Sequence, residues 1–237
     1  MTGPQHRIDR EAYDAQYFDV RGAHLKDPGG RFQRYRVRKV LDIYAPAPGE
    51  RVVDLGCGWG TFDFALAPRV AEVVGVDFSE RSVALCRRRL TEEPHPNLRF
   101  VCADARATGL VGGEWDLVIA ADLFEHLYPE DSEGVIAEAW RLLRPGGRLS
   151  IWTPHRGHLV EALKNRDVLL KADPTHVDYK SLERLRRMLL DAGFEIERAY
   201  YAESHLPGVR HVERALLRWV PFLRRRIAVL GRKPAGQ

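Results

Sequence analysis

Cysteine is scarce in this chain of 237 residues: Cys57, Cys86 and Cys102 are odd in number and include no C-x-x-C pair. A disulfide framework or a zinc ribbon is therefore not expected, and the thiols fit a reduced compartment. Long apolar runs are missing too. No stretch approaches the ~18 uninterrupted apolar residues of a spanning helix, and the opening MTGPQHRIDREAYD has no apolar signal core. The expectation is a cytoplasmic protein. Repeats, linkers and low-complexity segments are also lacking, and the length suits one domain. Charge of one sign is not in large excess, the formal balance being +4. Arginines cluster at 87–89, at 184, 186 and 187, and at 224–226. Each cluster lies on or beside a helix whose other face is apolar, so these read as solvated faces. No basic stretch is interleaved with aromatics, and no nucleic-acid partner is expected.

What is present is rhythm. Short apolar runs at 51–55, 72–76, 98–102, 115–120, 148–152, 194–201 and 226–230 alternate with helical patterns. Ser79 is placed to cap a helix in which Val83, Cys86 and Leu90 share a face. Ile136, Ala139, Trp140 and Leu143 repeat at helical spacing before Pro145-Gly146-Gly147, which predicts the end of that helix. Leu182, Leu185 and Leu189 mark another, stopped by Gly193. Such βαβα order predicts a doubly wound, mostly parallel α/β sheet. Residues 1–45 are helical in tendency, broken at Asp27-Pro28-Gly29-Gly30, and predict a lid on a main domain of 46–237, with Tyr13, Tyr17 and Phe18 as its aromatic face. Residues 211–223 predict a cover helix.

Directly behind the first run stands RVVDLGCGWGTF, with Gly56, Gly58 and Gly60 between strand and helix. Glycine belongs where backbone must turn tightly or approach a ligand closely. In open α/β sheets ligands bind at the carboxyl ends of the strands. Asp77 closes the second run about 20 positions later, where a carboxylate can accept from both ribose hydroxyls. Asp104 ends the third run, placed to hold an adenine amino group. A nucleoside-bearing cofactor follows from these elements together. The loop reads G-x-G-x-G rather than the dinucleotide G-x-G-x-x-G, which disfavours a nicotinamide-dependent reductase. Asp54, two positions before the loop, would repel a pyrophosphate and suits a ligand with ammonium and sulfonium charges.

VVDLGCGWG, VVGVDFS, VCADA, WDLVIAADLFEHL and LLRPGGRLSIWTP, in this order, resemble the motifs of the class I S-adenosylmethionine (SAM)-dependent methyltransferases. The resemblance runs from about Val40 to Arg232. It implies a seven-stranded Rossmann-like sheet with an antiparallel last strand. It also implies a SAM site built from Asp54, Gly56, Cys57, Gly58 and Gly60, from Asp77 and Phe78, and from Asp104, Ala105 and Ala121. Arg34 and Arg36, in GGRFQRYRVRK, can reach the same edge, and Arg36 is the expected holder of the methionyl carboxylate.

Transfer to a hydroxyl needs a base or a metal beside it. Asp122, Glu125 and His126 stand at i, i+3 and i+4, which on a helical turn share a face. Two carboxylates and an imidazole could hold Mg²⁺, His126 could act alone as general base, or the stretch could be a structural turn. It resembles the acid-x-x-Glu-His pattern of ubiquinone-pathway O-methyltransferases, whose positions carry metal, although the first acid here is the shorter Asp. The Asn/Asp-Pro-Pro-aromatic stretch usual in amino-methylating relatives is replaced by Ala121-Asp122-Leu123-Phe124. His155, in Thr153-Pro154-His155, is a second catalytic candidate; with His158 it forms H-x-x-H, but without a nearby cysteine partner for zinc. DPTHVDYKSLERL, with His176, resembles a stretch that small-molecule methyltransferases place beside the substrate. The function expected is O-methylation of a small molecule: a sugar, a phenol or a quinone-type acceptor. The rivals are C-methylation or cyclopropanation of a lipid, since GCGWG and LFEH also resemble cyclopropane fatty-acid synthases, and a SAM-binding protein without turnover.

Overall fold

The computed structural model describes residues 14, 30–155, 175–202, 216, 220, 224 and 226–236. Tyr13, Tyr17 and Phe18, the break at 27–29, His158 and most of the expected cover helix lie outside them. Among the described residues no helix is long and apolar enough to cross a membrane.

Seven strands form one sheet: β1 (Arg51–Leu55), β2 (Glu72–Asp77), β3 (Leu98–Cys102), β4 (Trp115–Ala121), β5 (Leu143–Pro154), β6 (Glu195–Ala202) and β7 (Arg226–Arg232). Their order is β3-β2-β1-β4-β5-β7-β6. Pairings from β3 to β5 are parallel, while β7 runs antiparallel to both β5 and β6. Strand order reverses between β1 and β4, so the crevice beyond their carboxyl ends is the natural ligand position.

The central strands are apolar on both sides, and alternation divides them between two cores. Val52, Val73, Leu117 and Ile119 point to one face, packed with α1 (Arg31–Ile43), α2 (Thr61–Leu66) and α3 (Glu80–Glu92). Val53, Leu55, Val74, Val76 and Val118 point to the other. There α4 (Pro129–Leu142) brings Val135, Ile136 and Ala139, and α5 (Leu182–Asp191) brings Leu182, Leu185 and Leu189. Ser79 and Ser181 cap α3 and α5, each accepting from the backbone N–H three residues on. Gly193 ends α5 at φ +94°.

Pro145-Gly146-Gly147 does not end α4, which stops at Leu142. The triplet lies inside β5, where the backbone exchanges hydrogen bonds with Lys233 from Gly146 and Gly147. The Lys233 ammonium donates to the carbonyls of Trp140 (2.7 Å) and Leu143 (2.8 Å), closing the helix end.

Gly75 lies opposite Asp54 in the β1–β2 register. A Cβ there would come within 2.5 Å of Asp63 Oδ1 and 2.6 Å of the Phe100 ring, both buried. Gly75→Ala is therefore expected to lower stability by about 1–3 kcal/mol, the usual effect of overpacking. Urea unfolding checks it, and an unchanged midpoint would contradict the packing described.

Candidate active site

The loop after β1 turns through three left-handed glycines, Gly56 at φ +74°, Gly58 at +53° and Gly60 at +70°. A side chain there would strain the backbone. At Gly56 it would also meet Leu123 Cδ1 at 3.0 Å. The turn is pinned to β2. Gly56 and Cys57 donate to the Val76 carbonyl at 2.8 and 3.0 Å. Gly58 donates to Asp77 Oδ2 at 2.9 Å, and Ser79 donates to Asp77 Oδ1 at 2.9 Å. Burial pushes the Asp77 carboxyl up to about 6, against the pull of those two amides. Cys57 is a buried free thiol in this turn, held protonated by its hydrogen bond with Cys86 and by burial.

A cavity of about 270 Å³ opens beside the loop. Gly56, Asp77 and Phe78 form one wall, Asp104, Ala105 and Arg106 a second, and Asp122, Leu123 and His126 a third. Arg106 forks onto Asp104 and reaches Asp131 on α4, bridging two walls. Gly134 makes room for it, since a Cβ there would lie 3.1 Å from Arg106 Cγ. The structure thus brings Gly56, Asp77, Phe78, Asp104, Ala105, Asp122 and His126 around one cavity. Ala121 is buried at the end of β4, and Asp54 is buried at the end of β1.

Asp122, Glu125 and His126 do not share one helical face. Asp122 has φ +55° and precedes the 3₁₀ turn Phe124–His126, so helical spacing does not apply to it. Its carboxylate is clasped by two guanidinium groups: Arg36 donates through Nε (2.9 Å) and Nη2 (2.5 Å) to Oδ2, and Arg226 binds Oδ1. Despite burial, these cations hold Asp122 down at about 2. Glu125 lies in the opposite environment: burial, then the neighbouring Asp122 charge, raise it to about 8, and it accepts from the Thr153 hydroxyl at 2.9 Å. His126 Nδ1 lies 2.9 Å from the Thr175 carbonyl. A carbonyl only accepts, so Nδ1 carries the proton and Nε2 the lone pair. The His176 ring stands edge-on to His126, with centroids 4.8 Å apart. The ligand atoms of Glu125, His126 and His176 fall within 4.8 Å of one another, so the metal-capable group contains His176 in place of Asp122.

His155 is not part of the cavity wall. Its Nδ1 lies 3.0 Å from the Arg224 carbonyl, its ring packs edge-on to Tyr201, and burial lowers its basicity.

Residues 52–147 match the family model described as a methyltransferase domain. A ubiquinone biosynthesis O-methyltransferase from Thiobacillus denitrificans is 33% identical over 165 residues, covering 66% of this chain and 69% of that relative. The chain belongs to the SAM-dependent methyltransferases. An aklanonic acid methyltransferase from a Streptomyces species is 30% identical over 142 residues, covering 59% of this chain and 64% of that relative. In fold, this methyltransferase is similar to a SAM-dependent methyltransferase from Archaeoglobus fulgidus, with a TM-score of 0.67 at 20% identity over 89% of this chain and 99% of that one. Its own residues fit such a cofactor: left-handed glycines at the loop, a β2-terminal acid on the cavity wall, and a buried acid, Asp54, with no hydrogen-bond donor among the described residues.

Several site-building residues escape sequence reasoning. Arg226 opens β7, about a hundred positions from the Asp122 it binds. Thr153 lies 28 positions from the Glu125 it touches, and Lys180 lies 56 from Phe124. Lys180 is buried, and its ammonium donates to the carbonyls of Phe124 (2.6 Å) and Leu127 (2.5 Å), either side of Glu125 and His126. Burial pulls it down to about 8, with Asp178 opposing. The only signal for it is its place in DPTHVDYKSLERL. Lys180→Met keeps the apolar stem but removes the ammonium from the Phe124 and Leu127 carbonyls, leaving the first with only the Leu127 amide. Stability is expected to fall by about 1–3 kcal/mol. Equal denaturation midpoints for K180M and the parent would contradict that anchoring role.

Proposed function

We propose that this methyltransferase methylates a hydroxyl of a small molecule, such as a phenol, a quinone-type acceptor or a sugar, with His126 as general base. SAM supplies an electrophilic methyl group carried on sulfonium sulfur. The chain's contribution is to seat that cofactor and to place a proton acceptor beside it. In this reading Asp77 accepts from the ribose hydroxyls with the lone pairs its two amides leave over, and Phe78, Asp104 and Ala105 receive the base. Arg36 would receive the methionyl carboxylate through the nitrogen it now donates to Gln33, its other two staying on Asp122. The segment 1–45 acts as a lid, a role supported by α1, which delivers Arg36 to the site. The free thiols suit a reducing, cytoplasmic setting.

The observation that carries the base assignment is the Thr175 carbonyl on His126 Nδ1 in a cavity-lining imidazole. It fixes the tautomer whose Nε2 can take a hydroxyl proton. The relatives named for ubiquinone biosynthesis and for aklanonic acid support a small oxygen-bearing acceptor. Mg²⁺ on Asp122, Glu125 and His126 is the less favoured arrangement. Asp122 is already neutralised by two guanidinium groups, and His176 takes its place in the group whose ligand atoms converge. The donor set does not fit a hard dication, and no step is assigned to one.

Methyl-labelled SAM offered with a panel of phenols, catechols and sugars, read by mass spectrometry, tests the reaction. O-methyl products support it; label appearing only on carbon, on a lipid alkene or nowhere would overturn it. With an active acceptor, His126→Ala is expected to slow turnover roughly 10²–10⁴-fold. Activity should persist in excess chelator, and Glu125→Gln, an amide isostere of a neutral acid, should stay within a few-fold of the parent. Collapse of both the chelated enzyme and E125Q would establish the metal arrangement instead.

A further inference from the structure

Asp54 and Asp63 form a cluster that the reaction above does not use. Asp54 is the penultimate residue of β1, two before Gly56, and Asp63 lies in the first turn of α2, three after Gly60. The two acids therefore bracket the glycine loop. Both are buried, at 1% and 0% exposure, and their carboxyl groups hydrogen-bond each other. Neither Asp54 oxygen receives a hydrogen bond from a described N–H or hydroxyl donor, and Asp63 has only its own backbone amide to draw on besides Asp54. Gly75 completes the chamber: Asp63 Oδ1 occupies the space its missing side chain leaves.

Two ionised carboxylates cannot persist in contact without donors, so such a pair holds at least one proton between them. The described charged and titratable groups that face the pair are Arg36 from α1, Asp77 from β2, Arg89 from α3 and the Cys57 thiol of the loop. Arg36 is committed to Asp122 and Arg89 to Glu93. No donated hydrogen bond neutralises the pair.

We propose that Asp63 is a second acid of the cofactor site, sharing protons with Asp54 beneath the glycine loop, and that seating the cationic cofactor on the loop expels one of them to solvent. In that step one carboxyl O–H bond breaks, the proton passes to water, and the pair keeps one proton in its mutual hydrogen bond with a single negative charge. A cation at the loop favours that charge because both acids are buried and screening there is weak. Burial raises Asp63 to about 7 and Asp54 well beyond the usual carboxylate range, so the neutral form is populated at and below pH 7. The inference rests on the loop being the SAM seat.

SAM binding by titration calorimetry, in two buffers of different ionisation enthalpy, counts the protons released. The parent is expected to release up to one proton near pH 7, and its affinity to tighten from pH 6 to pH 8. The tightening should exceed that of Asp63→Asn by roughly three- to tenfold, because linkage limits one proton to tenfold per pH unit. Asp77, Glu125 and the cofactor's own amino group are common to both proteins, so the difference isolates the pair. Asp63→Asn also supplies an amide donor to Asp54 at nearly constant volume. A second readout needs no cofactor. An acid whose folded pKa is raised loses stabilisation as pH rises through that pKa. The melting temperature of the parent should therefore fall more than that of D63N between pH 5 and pH 8. Should D63N fail to fold, Asp54→Asn dismantles the same pair. Equal proton release and equal pH slopes in parent and variant would overturn the pair while leaving the cofactor seat intact. Absence of SAM binding by folded parent and variant alike would overturn both.

Discussion

The carboxylate of Asp77 ties the end of β2 to the loop after β1, and the site depends on that tie. One oxygen accepts from Gly58 and the other from Ser79, so a single side chain fixes a three-glycine turn and the start of α3. The loop could not make this approach with side chains at Gly56 or Gly60, whose backbones are left-handed and whose missing Cβ atoms face Leu123 and Phe64. Parallel pairing of β2, β1 and β4 places the ends of these strands side by side. Phe78, Leu123 and Asp122 then close on the turn from neighbouring strands.

A second constraint is electrostatic. Within a few residues of the strand ends the chain holds one strongly acidic carboxyl, Asp122, one neutral carboxyl, Glu125, and one proton-sharing pair, Asp54 and Asp63. Their side chains differ little; their partners differ greatly. Two guanidinium groups make Asp122 an anion, whereas at Glu125 burial and the Asp122 charge outweigh the more distant Arg226 and the Thr153 hydroxyl. Opposed environments of this kind let one cleft hold both a permanent charge and a neutral hydrogen-bonding acid.

Legibility followed interaction range. All seven strands were readable, the central β1, β2 and β4 because a strand buried on both faces writes a continuous apolar run, the edge strand β6 from its weaker aromatic and apolar pattern. The glycine turn and the acids gathered around its cavity were readable because left-handed backbone needs glycine locally and the acids sit at fixed distances along the chain. The Asp122–Glu125–His126 face was not, because spacing arguments assume a helix and Asp122 departs from one at φ +55°. Arg226, Thr153 and Lys180 were invisible as site residues, since each reaches its partner through the tertiary fold. Asp63 stands in a first helical turn, where acids commonly favour the helix dipole, and nothing in the sequence pairs it with Asp54; only the fold brings the two together.

The most direct measurement is a crystal structure of the protein with S-adenosylhomocysteine. The expected result places the ribose hydroxyls within hydrogen-bond distance, about 2.6–3.2 Å, of the Asp77 carboxylate, with the adenine between Phe78 and Asp104. A nucleoside bound elsewhere, for instance in the 640 Å³ cavity between α1 and α2 lined by Arg38 and Arg69, with Asp77 still engaged only by Gly58 and Ser79, would contradict it.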